Sequence, residues 1–282
     1  MGALLRQSAK TISAWSTEDT LTTKLTEQMF FQMGNHPSES EKRSWKNSFR
    51  ELSDLLVEAN LGNINVLLEY QLPYSSKRVD AVIVGSSPKT GNPVVIAIEL
   101  KQWTDAEGIN GANDVLKIGA YGNNPILHPA SQVKNYCEYL LDFNRFAASD
   151  SAHVFGVAYL HNWLDKRSAP IDSFPPSDIS MLFLGSERSS LKNFLHEKIS
   201  EAHTDSFTDD FLNSKIAPTK QLLALAADEI RNREQFHLLD EQQVAYSLVM
   251  KAVRDAETSN TKTAVIITGG PGSGKSVIAL SL

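Results

Sequence analysis

Apolar residues recur along this chain at helical spacing in some stretches and as short continuous runs in others, and the two patterns divide it into elements. Leu21, Leu25 and Met29 fall on one helical face before the breaker Gly34-Asn35-His36-Pro37, so residues 1–43 read as a short helical extension whose role is packing. From Ser44 a stronger stripe of Trp45, Phe49, Leu52, Leu55 and Leu56 predicts a second helix, closed by Gly62-Asn63. Extended segments follow at 64–72, 79–85 and 94–101, the first two separated by the turn-prone Pro73-Tyr74-Ser75-Ser76. A stretch holding Gly108, Gly111, Gly119 and Gly122 leads to a helix over 129–143, with Pro129 in the first turn, where a missing N–H does little harm. Strands are expected at 153–160 and 181–184, a loop at 172–176, and helices at 189–200 and 219–233.

Residues 204–210 are polar and interrupt the periodicity, which places a domain boundary there. The expected organisation is a helical extension over 1–43, an α/β domain over 44–203, a linker and helix over 204–235, and an incomplete second domain over 236–282. No internal repeat or low-complexity segment is visible.

Composition narrows the function classes. A chain of 282 residues, 41% hydrophobic and 21% charged, is ordinary globular material, long enough for one full domain and part of another. The net charge of −6 provides no broad attraction to nucleic acid, so any such binding needs a local groove or a bound metal. The single cysteine, Cys137, excludes an internal disulfide, suits a reducing cytoplasm and reads as a packed thiol. No apolar run approaches membrane-spanning length, and the N-terminus has neither a secretory h-region nor a myristoylation motif, so a cytoplasmic protein with no membrane partner is expected.

Two sets of residues carry chemistry. Asp80 interrupts the apolar segment 79–84, while Glu99 and Lys101 end the segment 94–101 and, being two apart on a strand, project to one side. Two carboxylates beside an ammonium on rigid strands suit a Mg²⁺ or Mn²⁺ site for phosphodiester cleavage, with Lys101 orienting water or stabilising transition-state charge. Taken alone, an aspartate and a Glu-x-Lys also read as exposed salt bridges at strand ends. The second set is Gly269-Gly270-Pro271-Gly272-Ser273-Gly274-Lys275-Ser276, a complete G-x-x-x-x-G-K-[ST] between an apolar run at 264–267, read as a strand, and a helix opening at Val277. Its backbone amides would cradle the phosphates of ATP, with Lys275 on the β/γ-phosphates and Ser276 on Mg²⁺. The acidic strand end and arginine that ATP hydrolysis also requires would lie beyond Leu282, so the sequence predicts a fragment or truncated product without ATPase activity of its own.

Asp80 followed by Glu99-Leu100-Lys101 on the second and third strands resembles the PD-(D/E)XK nuclease superfamily, although Val79 stands where that motif has proline. The resemblance implies a restriction-endonuclease-like core of helix, three strands, helix and strand, with a further glutamate often added from the first helix. Glu51 and Glu58 are both available there, Glu69 at the end of the first strand is a third possibility, and Glu51 joins Asp80 and Glu99 in the expected metal set. Gln132-Val133-Lys134-Asn135-Tyr136 is similar to the Q-x-x-x-Y element of RecB-like and Cas4-like nucleases, which implies that Gln132 and Tyr136 support the site and contact DNA. His128 either binds phosphate or caps that helix, Lys77 and Arg78 either hold a phosphate backbone or serve a surface turn, and Trp103 either stacks on a base or packs. Phe236-His237-Leu238-Leu239-Asp240-Glu241-Gln242-Gln243 resembles the glutamine motif of superfamily 1 helicases, with Gln242 as the adenine reader and Gln243 its neighbour.

The order of parts, with Ser44-Trp45-Lys46-Asn47-Ser48 and His128-Pro129, is similar to bacterial proteins with a Schlafen group 3-like DNA/RNA helicase domain behind a PD-(D/E)XK-like region. The implied function is metal-dependent cleavage of DNA or RNA, coupled in the complete protein to an ATP-driven helicase or translocase. Two alternatives stay open: a nuclease-like fold that only binds nucleic acid or a partner, and a nucleotide-binding ATPase with a structural N-terminal domain.

Overall fold

The near-continuous apolar character of the expected strands has a simple cause: the sheet they form is covered on both faces. In the computed structural model, which describes residues 2–175, 177–217, 238–270 and 273–282, the strands are β1 (Leu5–Ser8), β2 (Asn65–Gln71), β3 (Arg78–Ser86), β4 (Pro93–Lys101), β5 (Glu107–Ile109), β6 (Ala112–Lys117), β7 (Pro125–Leu127), β8 (His153–Leu160) and β9 (Ser180–Leu184). The main sheet has the order β1-β2-β3-β4-β8-β9. Its first four strands are antiparallel, whereas β8 and β9 add on in parallel, giving a mixed α/β fold.

Alternation along the strands separates two cores. Val94, Ile96, Ile98 and Leu100 of β4 face a layer built by α1 (Ala9–Thr17), α2 (Leu21–Met33) and α3 (Glu39–Glu58). Val95 and Ala97 face the other layer, built by α4 (Pro129–Phe143) and, farther along the chain, α7 (Thr204–Asn213). The parallel step from β4 to β8 needs a crossover, and α4 supplies it. That helix lies close to the sheet because β8 presents Gly156 beneath it: a Cβ there would stand 2.8 Å from Val133 Cγ2 and 2.9 Å from Cys137 Sγ. Cys137 is accordingly a buried free thiol, and burial pushes its pKa well up.

Several elements depart from the sequence expectation. The N-terminal extension is not wholly helical, since β1 pairs with β2 and extends the sheet edge. Helix α3 begins at Glu39 rather than Ser44, because the Ser38 hydroxyl accepts the Glu41 N–H and Glu39 and Glu41 complement the helix N-terminus. The glycine-bearing stretch forms the small sheet β5-β6-β7, and the expected loop at 172–176 begins with the one-turn helix α5 (Ala169–Asp172).

The polar segment 204–210 is the start of α7. Thr204 ties it to the sheet by accepting the Asn65 N–H at 2.9 Å and donating to the Val84 carbonyl at 2.6 Å, while Phe211 is buried. Helix α6 (Arg188–Lys198) answers to the expected 189–200 but ends two residues earlier, and α8 (Glu241–Ser259) and α9 (Lys275–Ser281) close the described chain. The run 264–267 is not a strand: among the described residues no strand pairs with it, and Ile266 is 85% exposed. Helix α9 starts two residues earlier than expected, at Lys275. The helix expected at 219–233, together with Phe236, His237, Pro271 and Gly272, lies outside the described residues. No helix among the described residues is long and apolar enough to cross a membrane.

The contact between α4 and the sheet gives a direct test. Gly156→Ala is expected to destabilise the fold by about 1–3 kcal/mol through overpacking, read as a lowered urea midpoint with an unchanged slope. An unaltered midpoint would show that α4 does not rest on this strand.

Candidate active site

The cleft begins where the strand alternation slips. Val66 and Leu68 of β2 and Ala81 and Ile83 of β3 face the α3 layer, while Leu67, Val82 and Val84 face the α4 layer. A period of two would put Tyr70 and Val79 in the α3 layer, yet both lie in the other. The slip falls on Glu69 and Asp80, which sit between the paired residues Leu68 and Ala81 on one side and Tyr70 and Val79 on the other. Glu69 has φ of 52°, a left-handed conformation uncommon for a non-glycine residue. Such strain costs about 1–3 kcal/mol and persists where the surroundings impose it.

The same level marks the parting of β3 from β4. Their pairing ends at Ala81 opposite Ile98, while β4 stays paired with β8 as far as Lys101 opposite Leu160. Asp80 Oδ2 accepts the Leu100 N–H at 2.7 Å, so a side-chain carboxylate satisfies a backbone donor that the departing strand leaves. Glu99 and Lys101 share a face, and Lys101 Nζ donates to Glu99 Oε1 at 2.6 Å. Glu99 is only 4% exposed, and its second oxygen, Oε2, is buried with no hydrogen-bond partner among the described residues.

Burial sets the electrostatics. It is the main cause raising the Glu99 carboxyl, with repulsion from Asp80 adding to it and Lys101 opposing. Asp80 is raised for the same leading reason, against the pull of Lys101, with Glu69 adding repulsion. An orphaned buried carboxylate oxygen thus stands beside a second, desolvated carboxylate, a pair that added positive charge would stabilise. Among the described residues no cluster of three or more His, Cys, Asp or Glu is poised to hold a metal. Mg²⁺ is commonly bound through one or two carboxylates, with water and substrate phosphate completing its shell, so Asp80 and Glu99 fit it.

Both helical layers wall the cleft, which measures about 520 Å³. From α3, the buried Trp45 indole donates to Glu69 Oε1 at 2.7 Å, while Ser40, Ser44 and Ser48 line the opening at intervals of one helical turn. Arg78 bonds Glu41 at 2.8 Å and faces Glu69 Oε2 at 3.1 Å without hydrogen-bond alignment. Burial carries the Glu69 carboxyl up to about 7 against the attraction of Arg78. From α4, Gln132 Nε2 donates to the Tyr136 hydroxyl at 2.8 Å, and that hydroxyl donates to Asp240 at 3.3 Å. Lys77 completes the wall through ion pairs with Asp240, at 3.0 Å, and Glu241. A neighbouring recess of about 410 Å³ shares Asp80 and Glu99 with the cleft and adds Lys101 and Arg43.

The structure thus brings Asp80, Glu99, Lys101, Gln132 and Tyr136 to one place and leaves Glu51 outside it. Glu51 pairs with Arg188 and accepts the Tyr159 hydroxyl at 3.0 Å, so its charge is already neutralised away from the cleft. Glu58 is likewise held by Arg188 and Lys192, and of the three candidate glutamates Glu69 lines the cleft. His128 is the helix cap: Nδ1 accepts the Ala130 N–H, Nε2 contacts the Ile171 carbonyl at 3.1 Å, and burial lowers its pKa to about 4. Trp103 packs with Leu116, Ile118 and Leu160. Sequence reasoning gave Asp240 no role; its position at the cleft depends on a fold contact with α4 that no local pattern records.

At the other candidate site, Lys275 Nζ donates to the carbonyls of Gly269 and Gly270, at 2.8 Å each, and to Ser273 Oγ at 3.3 Å. Gln242 Nε2 donates to the Ser273 carbonyl at 3.2 Å, whereas Gln243 turns away to Asp114. Gly274 is favoured by its φ of +83°, and a Cβ there would lie 2.2 Å from Gln242 Nε2, so the glutamine amide would have to move off the loop.

The raised carboxyls make stability depend on pH. Asp80 and Glu99 titrate higher in the fold than their reference values of 3.8 and 4.5, so the folded chain retains protons that the unfolded chain releases. Their contribution is therefore complete below the reference values and is lost as pH rises through the folded ones. Urea unfolding is expected to show lower stability at pH 8 than at pH 5, by up to about 1.4 kcal/mol per pH unit for each retained proton. Asp80→Asn and Glu99→Gln should each flatten that decline, and a slope unchanged in both variants would contradict the assignment.

Compared with known protein families, curated proteins and solved structures, the chain matches none.

Proposed function

We propose that this chain hydrolyses nucleic-acid phosphodiester bonds in the cleft between α3 and α4, with Mg²⁺ or Mn²⁺ held by Asp80 and Glu99. The observation that carries this reading is the convergence of Asp80, Glu99 and Lys101 where β3 leaves β4, with one buried Glu99 oxygen left unpartnered. The order α3, β2, β3, β4, α4, β8 supports it as well, being the helix, three strands, helix and strand of the PD-(D/E)XK core that the motif resembles. The net charge of −6 is no obstacle, because Arg43, Lys77, Arg78 and Lys101 line the cleft and its neighbouring recess.

A bound divalent cation supplies Lewis-acid polarisation of the phosphodiester. The chain's own groups do the rest. The Leu100 N–H fixes Asp80, so one oxygen is held while the carboxylate charge is directed to the cleft. Lys101 moves between neutralising Glu99 and stabilising negative charge on the reacting phosphate. Tyr136 and Gln132 present a hydroxyl and an amide from the opposite wall, suited to phosphate or sugar oxygens. The loop at 269–276, with Lys275 and Gln242, is read as a second site taking ATP, and coupling to helicase or translocase movement follows from the family resemblance.

The test is cleavage of single- and double-stranded DNA and RNA with Mg²⁺ or Mn²⁺ by the wild-type chain, Asp80→Ala and Lys101→Ala. Each variant is expected to lose at least about a hundredfold in rate. Equal cleavage by all three would rule out this site, and binding without cleavage by any would leave a binding module. Cation binding has its own readout: because metal competes with protons for the two carboxylates, Mn²⁺ should raise the melting temperature more at pH 8 than at pH 5.5. An equal rise at both pH values, or a rise undiminished in Glu99→Gln, would remove Asp80 and Glu99 as ligands.

A further inference from the structure

A second cavity, of about 530 Å³, lies where the α/β domain meets the phosphate-loop segment. One wall is Thr268, Ser273 and Lys275 of the loop, with Gln242 beside them, and the other is the β2–β3 turn, Tyr74 to Lys77. The turn therefore faces the loop across an open space of nucleotide size. Lys77 lines both this cavity and the carboxylate cleft. Its ammonium is held by two consecutive carboxylates, Asp240 on the cleft side and Glu241 on the cavity side. Residue 242 is the glutamine that contacts the loop. Three successive residues thus join Lys77, the cleft and the phosphate loop, and the first of them, Asp240, is held at φ 45° and ψ −109°, far from any relaxed conformation of a non-glycine residue.

We infer that Lys77 is a phosphate ligand of a nucleoside triphosphate bound in this cavity, and that the nucleotide competes with Asp240 and Glu241 for its ammonium. This rests on reading 269–276 as a phosphate-binding loop. A triphosphate carries more charge than either carboxylate and binds an ammonium at least as well, so the exchange is chemically favourable. Glu241 is only lightly buried at its side chain, 83% exposed, and releases Lys77 readily into solvent. Asp240, 14% exposed, keeps its hydrogen bond from Tyr136 when Lys77 leaves. Nucleotide occupancy then removes a positive charge from the lip of the cleft, and by linkage anything that holds Lys77 there weakens nucleotide binding by the same factor.

The experiment is calorimetric titration of the full chain with ATP for the wild type, Lys77→Ala, Lys77→Arg, Glu241→Gln, the double variant Lys77→Ala/Glu241→Gln, and Lys275→Ala. Lys77→Ala is expected to weaken ATP about tenfold and Lys77→Arg to restore most of that loss, which separates a charge contact from misfolding. Glu241→Gln should tighten binding about threefold to fivefold in the wild-type background and have no effect once Lys77 is absent. Equal tightening in both backgrounds would mean simple repulsion between Glu241 and phosphate and would overturn the competition. Unchanged affinity in Lys77→Ala, with binding abolished in Lys275→Ala, would overturn the role of Lys77 and leave the phosphate loop standing. Absence of ATP binding by the wild-type chain would refute the loop reading and this inference with it, whatever the outcome of the cleavage assay.

Discussion

Two carboxylates removed from water set the terms for the rest of the molecule. Asp80 and Glu99 lie side by side at the point where β3 leaves β4, and burial makes each harder to ionise. Ordinary folding physics would not choose this arrangement, because apolar residues of similar volume pack there without a desolvation penalty. It persists because neighbouring groups partly compensate: the Leu100 N–H on Asp80 and Lys101 on Glu99. The compensation is incomplete at Glu99 Oε2, the buried oxygen that the proposed cation would meet.

The surrounding fold is arranged to keep the notch open. Both β2 and β3 lose their alternation at the level of Glu69 and Asp80, so the strands carry Tyr70 and Val79 into the α4 layer and free the space beneath. The left-handed backbone at Glu69 is the local expression of that slip. Trp45 and Arg78 then hold the Glu69 side chain in place, tying α3 to the strained strand. On the other side Gly156 lets α4 approach the sheet, which brings Gln132 and Tyr136 over the carboxylates. Strain in one strand and close packing of one helix are therefore two parts of a single cleft.

The start of α8 connects this cleft to the phosphate loop. Asp240 meets Tyr136 and Lys77, Glu241 meets Lys77 again, and Gln242 meets Ser273. Three consecutive residues therefore carry contacts to both the cleft and the loop. Helix geometry also explains why Gln242, and not Gln243, sits beside Gly274: one helical step turns the next side chain to Asp114.

Much of this was legible in the sequence. Apolar runs located β3, β4 and β8, the stripe from Trp45 to Leu56 located α3, and the two-residue spacing of Glu99 and Lys101 placed them on one face, because periodicity is a local record of which side of an element is buried. Edges and irregularities were not legible. Strand β1 and the small β5-β6-β7 sheet are short and weakly patterned, and α7 looked like a break because its buried face is carried by Thr204, Thr208 and Phe211 rather than by an aliphatic stripe. The choice among Glu51, Glu58 and Glu69 was equally hidden, since it turns on which carboxylate meets Arg188 and which meets Trp45, contacts made by chain segments far apart in sequence. The sequence by itself determined which side chains carry charge and, wherever the alternation is regular, on which face of an element each stands. Only the tertiary structure decided which of those charges lose their water, because desolvation depends on everything packed around a group and not on its neighbours along the chain.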